Sequence, residues 1–254
     1  MVINIRGAIE DPALELANCA FFIPAKGQST SIPRKNLASC GDRALVQLPI
    51  ETMLGQGVPS ERIIVSTDDE TIAELVERSG ATVWFRPPEL ATNTATVRQV
   101  LLNDGERLRG MLGDEGIVTV LLPTSPFRRG DDVRRAVRTL QSNPQAHGLV
   151  SVSQYPSPVS YRLELEESGC LLGFPDGDEV FNSRSRRQQN ASFYYPDGSI
   201  YCVRIARFIA DPRFFVQGKT LGQVSSLSSS LDIDTIEDLE FAHLIAEKLL
   251  KRDS

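Results

Sequence analysis

Three cations, Lys26, Arg34 and Lys35, share one short polar stretch with Gly27 and the hydroxyl residues Ser29, Thr30 and Ser31. Flexible backbone, hydroxyl donors and positive charge at three points suit such a loop to an anion. A polyphosphate is the natural candidate, because cations stabilise charge on transferring phosphoryl oxygens. The loop follows Phe21, Phe22 and Ile23, which read as a buried parallel strand. Neither G-x-x-x-x-G-K-[ST] nor G-x-G-x-x-G is present, so this is not one of the common phosphate loops. The plainer alternative is a solvated loop with three unrelated cations.

A second constellation is SLDIDTIEDLE, where Asp232 and Asp234 stand two apart. In an extended segment they point to the same side and can hold Mg²⁺, which prefers carboxylates, water and phosphate oxygens. An acidic helix start, favoured by the helix dipole, explains the same spacing equally well. A polyphosphate loop elsewhere in the chain strengthens the metal reading. In PTSPFRRGDD, Pro123 and Pro126 bracket Thr124 and Ser125 in a stiff turn whose hydroxyls can meet a base or a sugar. Arg128 either binds phosphate or braces a neighbouring loop. In SRSRRQQ, Arg184, Arg186 and Arg187 precede Gln188 in an otherwise acidic chain. They form either a bidentate clamp for a substrate carboxylate or a solvated run. His147 and His243 are poor catalytic candidates, and the G-x-S-x-G elbow is absent.

These residues need elements to position them. Strands are predicted at Ile63–Val65, Thr82–Phe85, Ile117–Leu122 and Gly148–Ser153, and helices at Asp42–Leu54, Asp69–Arg78, from near Thr94 to Arg109, and Asp131–Leu140. Pro49 disturbs the first of these helices, and Thr94 is the candidate cap of the third. Strand, loop and helix recur every 30 to 40 residues, a βαβ rhythm with a mostly parallel sheet. Ligands in such sheets bind beyond the strands' carboxyl ends, where AKGQSTS, STDD and PTSPFR all fall. The expected fold is therefore α/β, with helices on both faces of the sheet and a small β-rich excursion. Residues 1–18 read as an extension with a helix over Pro12–Asn18, and 19–156 as a nucleotide-binding core. Residues 157–196 read as hairpin-like pieces covering an acceptor or a second subunit. Residues 197–254 return to the core through a turn at Asp197–Gly198 and end in an amphipathic helix capped by Thr235, with Asp238 three residues on.

Composition narrows the function classes. The 254 residues carry a net charge of −6, which argues against a general nucleic-acid binder. Cys19, Cys40, Cys170 and Cys202 are widely spaced with no CxxC pair, so neither a zinc site nor a redox dithiol is expected. No run approaches the ~20 apolar residues of a membrane helix, and the first residues lack a signal-peptide core. A cytoplasmic enzyme, free of membrane and nucleic acid, is the expectation.

IPAKGQSTSIPRKN resembles the opening signature of the N-acylneuraminate cytidylyltransferase family, the CMP–sialic acid synthetases. VSTDDETIAE, RPPELATNTA, LLPTSPFR, RRQQNASFYYPDGSIY and DIDTIEDLE resemble its later motifs in the same order, from Phe21 to Leu250. The resemblance implies a Rossmann-like nucleotidyltransferase fold and a homodimer. It implies that CTP and an acidic acceptor, N-acylneuraminate or a related nonulosonate, give a CMP-sugar and pyrophosphate with Mg²⁺. It implies Lys26 and Lys35 as catalytic residues, and Pro24, Ala25, Gly27, Ser29, Thr30, Asn36, Ala91, Thr92, Thr94 and Leu122 at the nucleotide. Thr124, Ser125, Arg187, Gln188 and Tyr201 would serve the acceptor, and Asp232 and Asp234 the metal. Members typically read IPARGGSKG and LQPTSP. Here Lys26 replaces an arginine, Gln28 a glycine, Thr30 a lysine, Asn93 an aspartate, Leu122 a base-reading glutamine and Asp197 an asparagine. These departures keep three alternatives in view: a non-sugar acceptor such as a phosphonate, a different nucleotide, and a binding or regulatory subunit.

Overall fold

The structure is a computed structural model, and it describes residues 16–157, 159, 163–173 and 192–250. In chain order it comprises β1 (Cys19–Pro24), β2 (Ser39–Cys40), β3 (Arg43–Ala44), α1 (Gln47–Leu54), β4 (Ile63–Thr67), α2 (Glu70–Arg78) and β5 (Thr82–Phe85). Next come α3 (Val97–Asn103), α4 (Gly105–Leu112), β6 (Ile117–Val120), α5 (Gly130–Gln141), β7 (Gly148–Gln154), β8 (Leu163–Leu165) and β9 (Leu171–Gly173). The chain continues through β10 (Tyr194–Arg204), α6 (Ile205–Ala210), β11 (Thr220–Val224) and α7 (Ile236–Leu250). No helix among the described residues is long and apolar enough to cross a membrane.

β1 lies inside the sheet because both of its faces are apolar. Cys19, Phe21 and Ile23 enter one core cluster with residues of α1, α2 and α5, while Ala20 and Phe22 enter a second with residues of α3, α4 and α6. Helices therefore cover both faces, as the continuous apolar run predicts. Seven strands run in the order β11-β7-β10-β6-β1-β4-β5. β1 pairs in parallel with β4 on one side and β6 on the other. β10 is antiparallel to both β6 and β7. The chain winds outward from β1 to β4 and β5, then returns to β6 on β1's other side. The crevice between the ends of β1 and β6 is thus a topological switch point, where α/β sheets bind ligands.

Local details depart from the sequence expectations for identifiable reasons. The helix expected from Asp42 starts at Gln47, because Arg43 and Ala44 pair with Ser39 and Cys40 in a hairpin. Pro49 then falls in the first turn, where its missing N–H is no loss. The helix expected to be capped by Thr94 is capped by Thr96 and broken at Asp104. Gln99 explains the choice: its amide N–H donates to the Thr96 hydroxyl at 3.3 Å, and its side-chain oxygen accepts from the Thr96 N–H at 2.9 Å. The expected turn at Asp197–Gly198 is an irregularity inside one long strand. β10 changes register between Pro196 and Tyr201, with Gly198 at φ 77°. β11 has no counterpart among the strands expected from sequence. It is short, contains Gly222 and sits at the sheet edge, so its local signal is weak. The β8–β9 hairpin lies where hairpin-like pieces are expected, turning at Gly169.

Candidate active site

The loop after β1 is tied down by the segment after β4. Ala25 N–H donates to the Ser66 carbonyl at 2.9 Å, and Gly27 N–H donates to Asp68 Oδ1 at 3.0 Å. Arg34 adopts a left-handed conformation, φ 52°, and its guanidinium reaches both carboxylate oxygens of Asp69 at 3.1 and 3.0 Å. Asp69 also caps α2 by accepting from Ile72 N–H. The polar cluster Ser66–Asp69 therefore organises the loop. Of the three cations, Arg34 is neutralised by this contact. Lys26 Nζ meets a neutral partner, Asn93 Oδ1, at 3.0 Å, and Lys35 Nζ donates to the Ile233 carbonyl at 2.8 Å. Asn36 donates to the Lys26 carbonyl at 2.8 Å, fixing the spacing of the two lysines.

A cavity of about 200 Å³ opens at the switch point. Pro24, Lys26, Ser29, Lys35, Asn36, Leu122 and Thr124, all singled out from sequence, line it. Ala25 is fully buried beneath the loop, and Gly27 acts through its backbone. Thr30, Ala91, Thr92 and Thr94 are not in the cavity wall; Thr92 and Thr94 hydroxyls lie 3.2 Å from each other. The opposite wall is apolar, with Ala95, Val97 and Val100, and carries one polar group that sequence reasoning missed, Arg86. Its buried guanidinium donates to the carbonyls of Ser66 and Leu90, and its Nε has no protein partner. Burial lowers its pKa, opposed by the charges of Asp68 and Asp104. The available signal is an arginine placed directly at the carboxyl end of a strand.

The acidic edge is docked onto the turn after β6 by Ile233, whose N–H donates to the Thr124 carbonyl at 2.9 Å. The Ile233 side chain is buried with Ile32, Cys40 and Leu45. Asp232 and Asp234 flank this anchor. Asp232 is half-buried and its Oδ1 has no protein partner. Burial raises its pKa, a hydrogen bond from Thr124 lowers it, and the Asp234 charge raises it further. Asp234 is exposed and 3.3 Å from Lys35 Nζ. Asp238 is engaged instead in capping α7, accepting from the N–H groups of Asp234 and Thr235. Among the described residues no three His, Cys, Asp or Glu side chains converge. An unpartnered carboxylate oxygen beside an exposed carboxylate fits Mg²⁺, which completes its shell with water and phosphate.

Of the acceptor candidates, Ser125 is buried with its hydroxyl unpartnered. Tyr201 packs on Phe214 at 5.0 Å, and burial raises its hydroxyl pKa, with Asp232 and Asp197 adding to the shift. Arg187 and Gln188 lie outside the described residues. Arg128 is a brace. It is 5% exposed, and its guanidinium donates to the Ser199 carbonyl at 2.6 Å and the Leu122 carbonyl at 2.8 Å.

The sequence model of the family described as cytidylyltransferase matches residues 20–166, which hold both loop lysines, Arg86 and Leu122. The chain belongs to the cytidylyltransferase family. It is thereby placed among the nucleotidyltransferases. The chain is 29% identical over 227 residues to an N-acylneuraminate cytidylyltransferase of Escherichia coli O18:K1:H7, covering 89% of the chain and 52% of that relative. It is 30% identical over 230 residues to a CMP-N,N'-diacetyllegionaminic acid synthase of Legionella pneumophila, covering 90% of the chain and 94% of that relative. The chain thus spans about half the length of the first relative and nearly all of the second. Its fold matches a solved CMP:2-keto-3-deoxy-manno-octonic acid synthetase complexed with CTP at a TM-score of 0.63 and 17% identity, over 91% of the chain and 99% of that protein. The two histidines stand apart from the cavity. His147 Nε2 pairs with the Arg213 carbonyl at 2.9 Å, and His243 Nδ1 accepts from Gly41 N–H at 3.3 Å.

Proposed function

We propose that this chain transfers a cytidylyl group from CTP to a hydroxyl of an acidic acceptor, N-acylneuraminate or a related nonulosonate, and releases pyrophosphate. One observation carries the reading. The cavity at the switch point has two loop lysines on its rim and the Asp232–Asp234 edge bonded to one of them, in a chain of the cytidylyltransferase family. The acceptor oxygen bonds to the α-phosphorus as the bond to the bridging oxygen breaks. Pyrophosphate leaves with that electron pair, and the hydroxyl proton passes to solvent. The protein's part is to position the reactants and answer their charge. Lys26 and Lys35 meet the phosphates, while Lys35 also holds the Ile233 carbonyl. Asp232 and Asp234 would hold Mg²⁺, which supplies neutralisation of the phosphate oxygens. The apolar wall of Val97, Val100 and Leu122 accepts the base. Arg187 and Gln188 are assigned to the acceptor carboxylate.

The names of the two relatives support a nonulosonate acceptor. A homodimer is part of the proposal. The β8–β9 hairpin exposes Leu165, Leu171 and Leu172 by 68%, 52% and 44%, an apolar surface that a second copy would cover. A cytoplasmic setting completes it, since the donor is a nucleoside triphosphate. The test incubates the chain with Mg²⁺, each of the four NTPs and a panel of acidic acceptors, measuring pyrophosphate release. Turnover with CTP and a nonulosonate is the expected result. No turnover with any pair, together with no calorimetric NTP binding, overturns the reading.

A further inference from the structure

Arg128 sits where three parts of the site meet. Its two hydrogen bonds join the Leu122 carbonyl, on the cavity wall, to the Ser199 carbonyl, in the irregular stretch of β10. That stretch packs against the acidic edge. A Cβ on Gly198 would lie 3.4 Å from Asp232 Oδ2 and 3.7 Å from Leu122 Cδ1. Displacement of Ser199 therefore moves the backbone that backs both side chains. Asp197, one residue before Gly198, is 4% exposed. Its carboxylate accepts from the Ser151 hydroxyl, from the Ser153 hydroxyl at 3.2 Å and from Ser199 N–H at 3.0 Å. Ser151 Oγ accepts in turn from Ile200 N–H at 2.8 Å.

Charge makes the arrangement necessary. Both hydrogen-bond acceptors of the Arg128 guanidinium are neutral carbonyls, and a buried cation without an opposing charge is strongly unfavourable. Burial pushes the Arg128 pKa down to about 9, and the charges of Asp197 first and Asp232 second oppose that loss of charge. Asp232 is the proposed metal ligand, so its charge is committed elsewhere when the site is loaded. Asp197 is held by three donors and keeps its place.

We propose that Arg128 is a positioning residue of the nucleotide site, linking the Leu122 wall to the backbone behind Asp232, with Asp197 as its buried counter-charge. The inference rests on the reading of the switch-point cavity as the CTP site. Lysine at 128 keeps the charge, but its single ammonium cannot reproduce a planar guanidinium spanning two carbonyls.

The test uses the full chain, with calorimetric titration of CTP and pyrophosphate-release kinetics at varied Mg²⁺. All variants are measured at a temperature where circular dichroism shows them folded. Arg128→Lys is expected to weaken CTP binding and raise half-saturating Mg²⁺, each by about tenfold. Asp197→Asn moves both readouts in the same direction. The double variant is no worse than the weaker of the two singles, because both act through one link. A purely structural role lowers Tm yet leaves CTP affinity and half-saturating Mg²⁺ at parental values, and that result overturns the inference. Should Arg128→Lys fail to fold, Asp197→Asn and Ser153→Ala decide on the same readouts. A parent chain that binds no CTP removes the reading beneath the inference. A parent that binds CTP, with unshifted variants, overturns the inference alone.

Discussion

The ammonium of Lys35 donates to the main-chain carbonyl of Ile233 at 2.8 Å, so the loop after β1 directly holds the segment that carries Asp232 and Asp234. Lys35 is one-tenth exposed at its side chain, whereas its second partner, Asp234, is 77% exposed. The two contacts differ in consequence. A charged hydrogen bond out of solvent contributes about 1.5–3 kcal/mol, an exposed ion pair about 0–1 kcal/mol. Lys35→Met should therefore lower unfolding stability by about 1.5–3 kcal/mol in urea titrations, and Asp234→Asn by less than about 1 kcal/mol. Equal losses would mean that the ion pair, not the carbonyl bond, holds the segment.

Turnover should respond in a different order from stability. Asp232→Ala, Asp234→Ala and Asp234→Asn are expected to reduce pyrophosphate release by about a hundredfold or more while leaving the circular dichroism spectrum unchanged. The amide of Asp234→Asn keeps shape and loses the charge a hard cation needs. Near-parental, Mg²⁺-dependent rates in both alanine variants would remove the metal assignment.

Gly27 is required by a close approach. A Cβ there would fall 2.7 Å from both Cβ and Oδ2 of Asp69. Asp69 cannot retreat without loosening its cap on α2 and its pair with Arg34. Gly27→Ala should lower stability by about 1 kcal/mol, the worth of a lost cap, and raise the KM for CTP more than it lowers kcat. An unchanged KM would show that the loop backbone does not touch the nucleotide.

Asp104 governs a pH-dependent part of the stability. It is buried at the break between α3 and α4, and burial holds its carboxyl pKa above the usual range, against the hydrogen bond from Asn103 and the charges of Arg107 and Arg86. For a folded-state pKa above the unfolded value of about 3.9, its contribution is fully present below that value and is lost as pH rises through the folded pKa. Asp104→Asn removes the loss. The variant should be more stable than the parent at neutral pH, with the difference closing as pH falls through the carboxylate range. A less stable variant at pH 7 would mean that buried Arg86 depends on the Asp104 charge.

Base choice is expected to turn on Leu122. It lines the cavity beside Val97 and Val100 and offers no side-chain hydrogen bond. Competition titrations should show CTP preferred, with modest rejection of UTP. Leu122→Gln should raise the CTP-to-UTP ratio of kcat/KM by roughly tenfold, because a site with a polar partner leaves it unpaired against the wrong base. A parent preference for another nucleotide, confirmed by product mass, would overturn the cytidylyl part of the proposal.

Features set by neighbours along the chain are legible in the sequence. Thr235 and Asp238 form their reciprocal cap because the rule spans three residues. The Phe21–Ile23 run is a two-faced inner strand because nothing polar interrupts it. Thr94 loses the capping role to Thr96, two residues on, because Gln99 stands at the right distance only from Thr96. That spacing is itself local, so the sequence carries the signal for the correct cap as well. Lys26, Lys35 and Leu122 are legible as members of ordered segments, and they do line one cavity.

What only the tertiary structure decided was which polar groups face each other across the sheet. Sequence determined that the loop is cationic and the DID segment acidic. It could not determine that Lys35 binds the Ile233 carbonyl while Arg34 is engaged by Asp69, since those partners come from separate segments. Nor could it choose between phosphate and brace for Arg128, because the answer depends on two carbonyls brought together by β6 and β10. Propensity and periodicity act over a few residues, whereas a buried charge is resolved by whichever groups the strand order places around it.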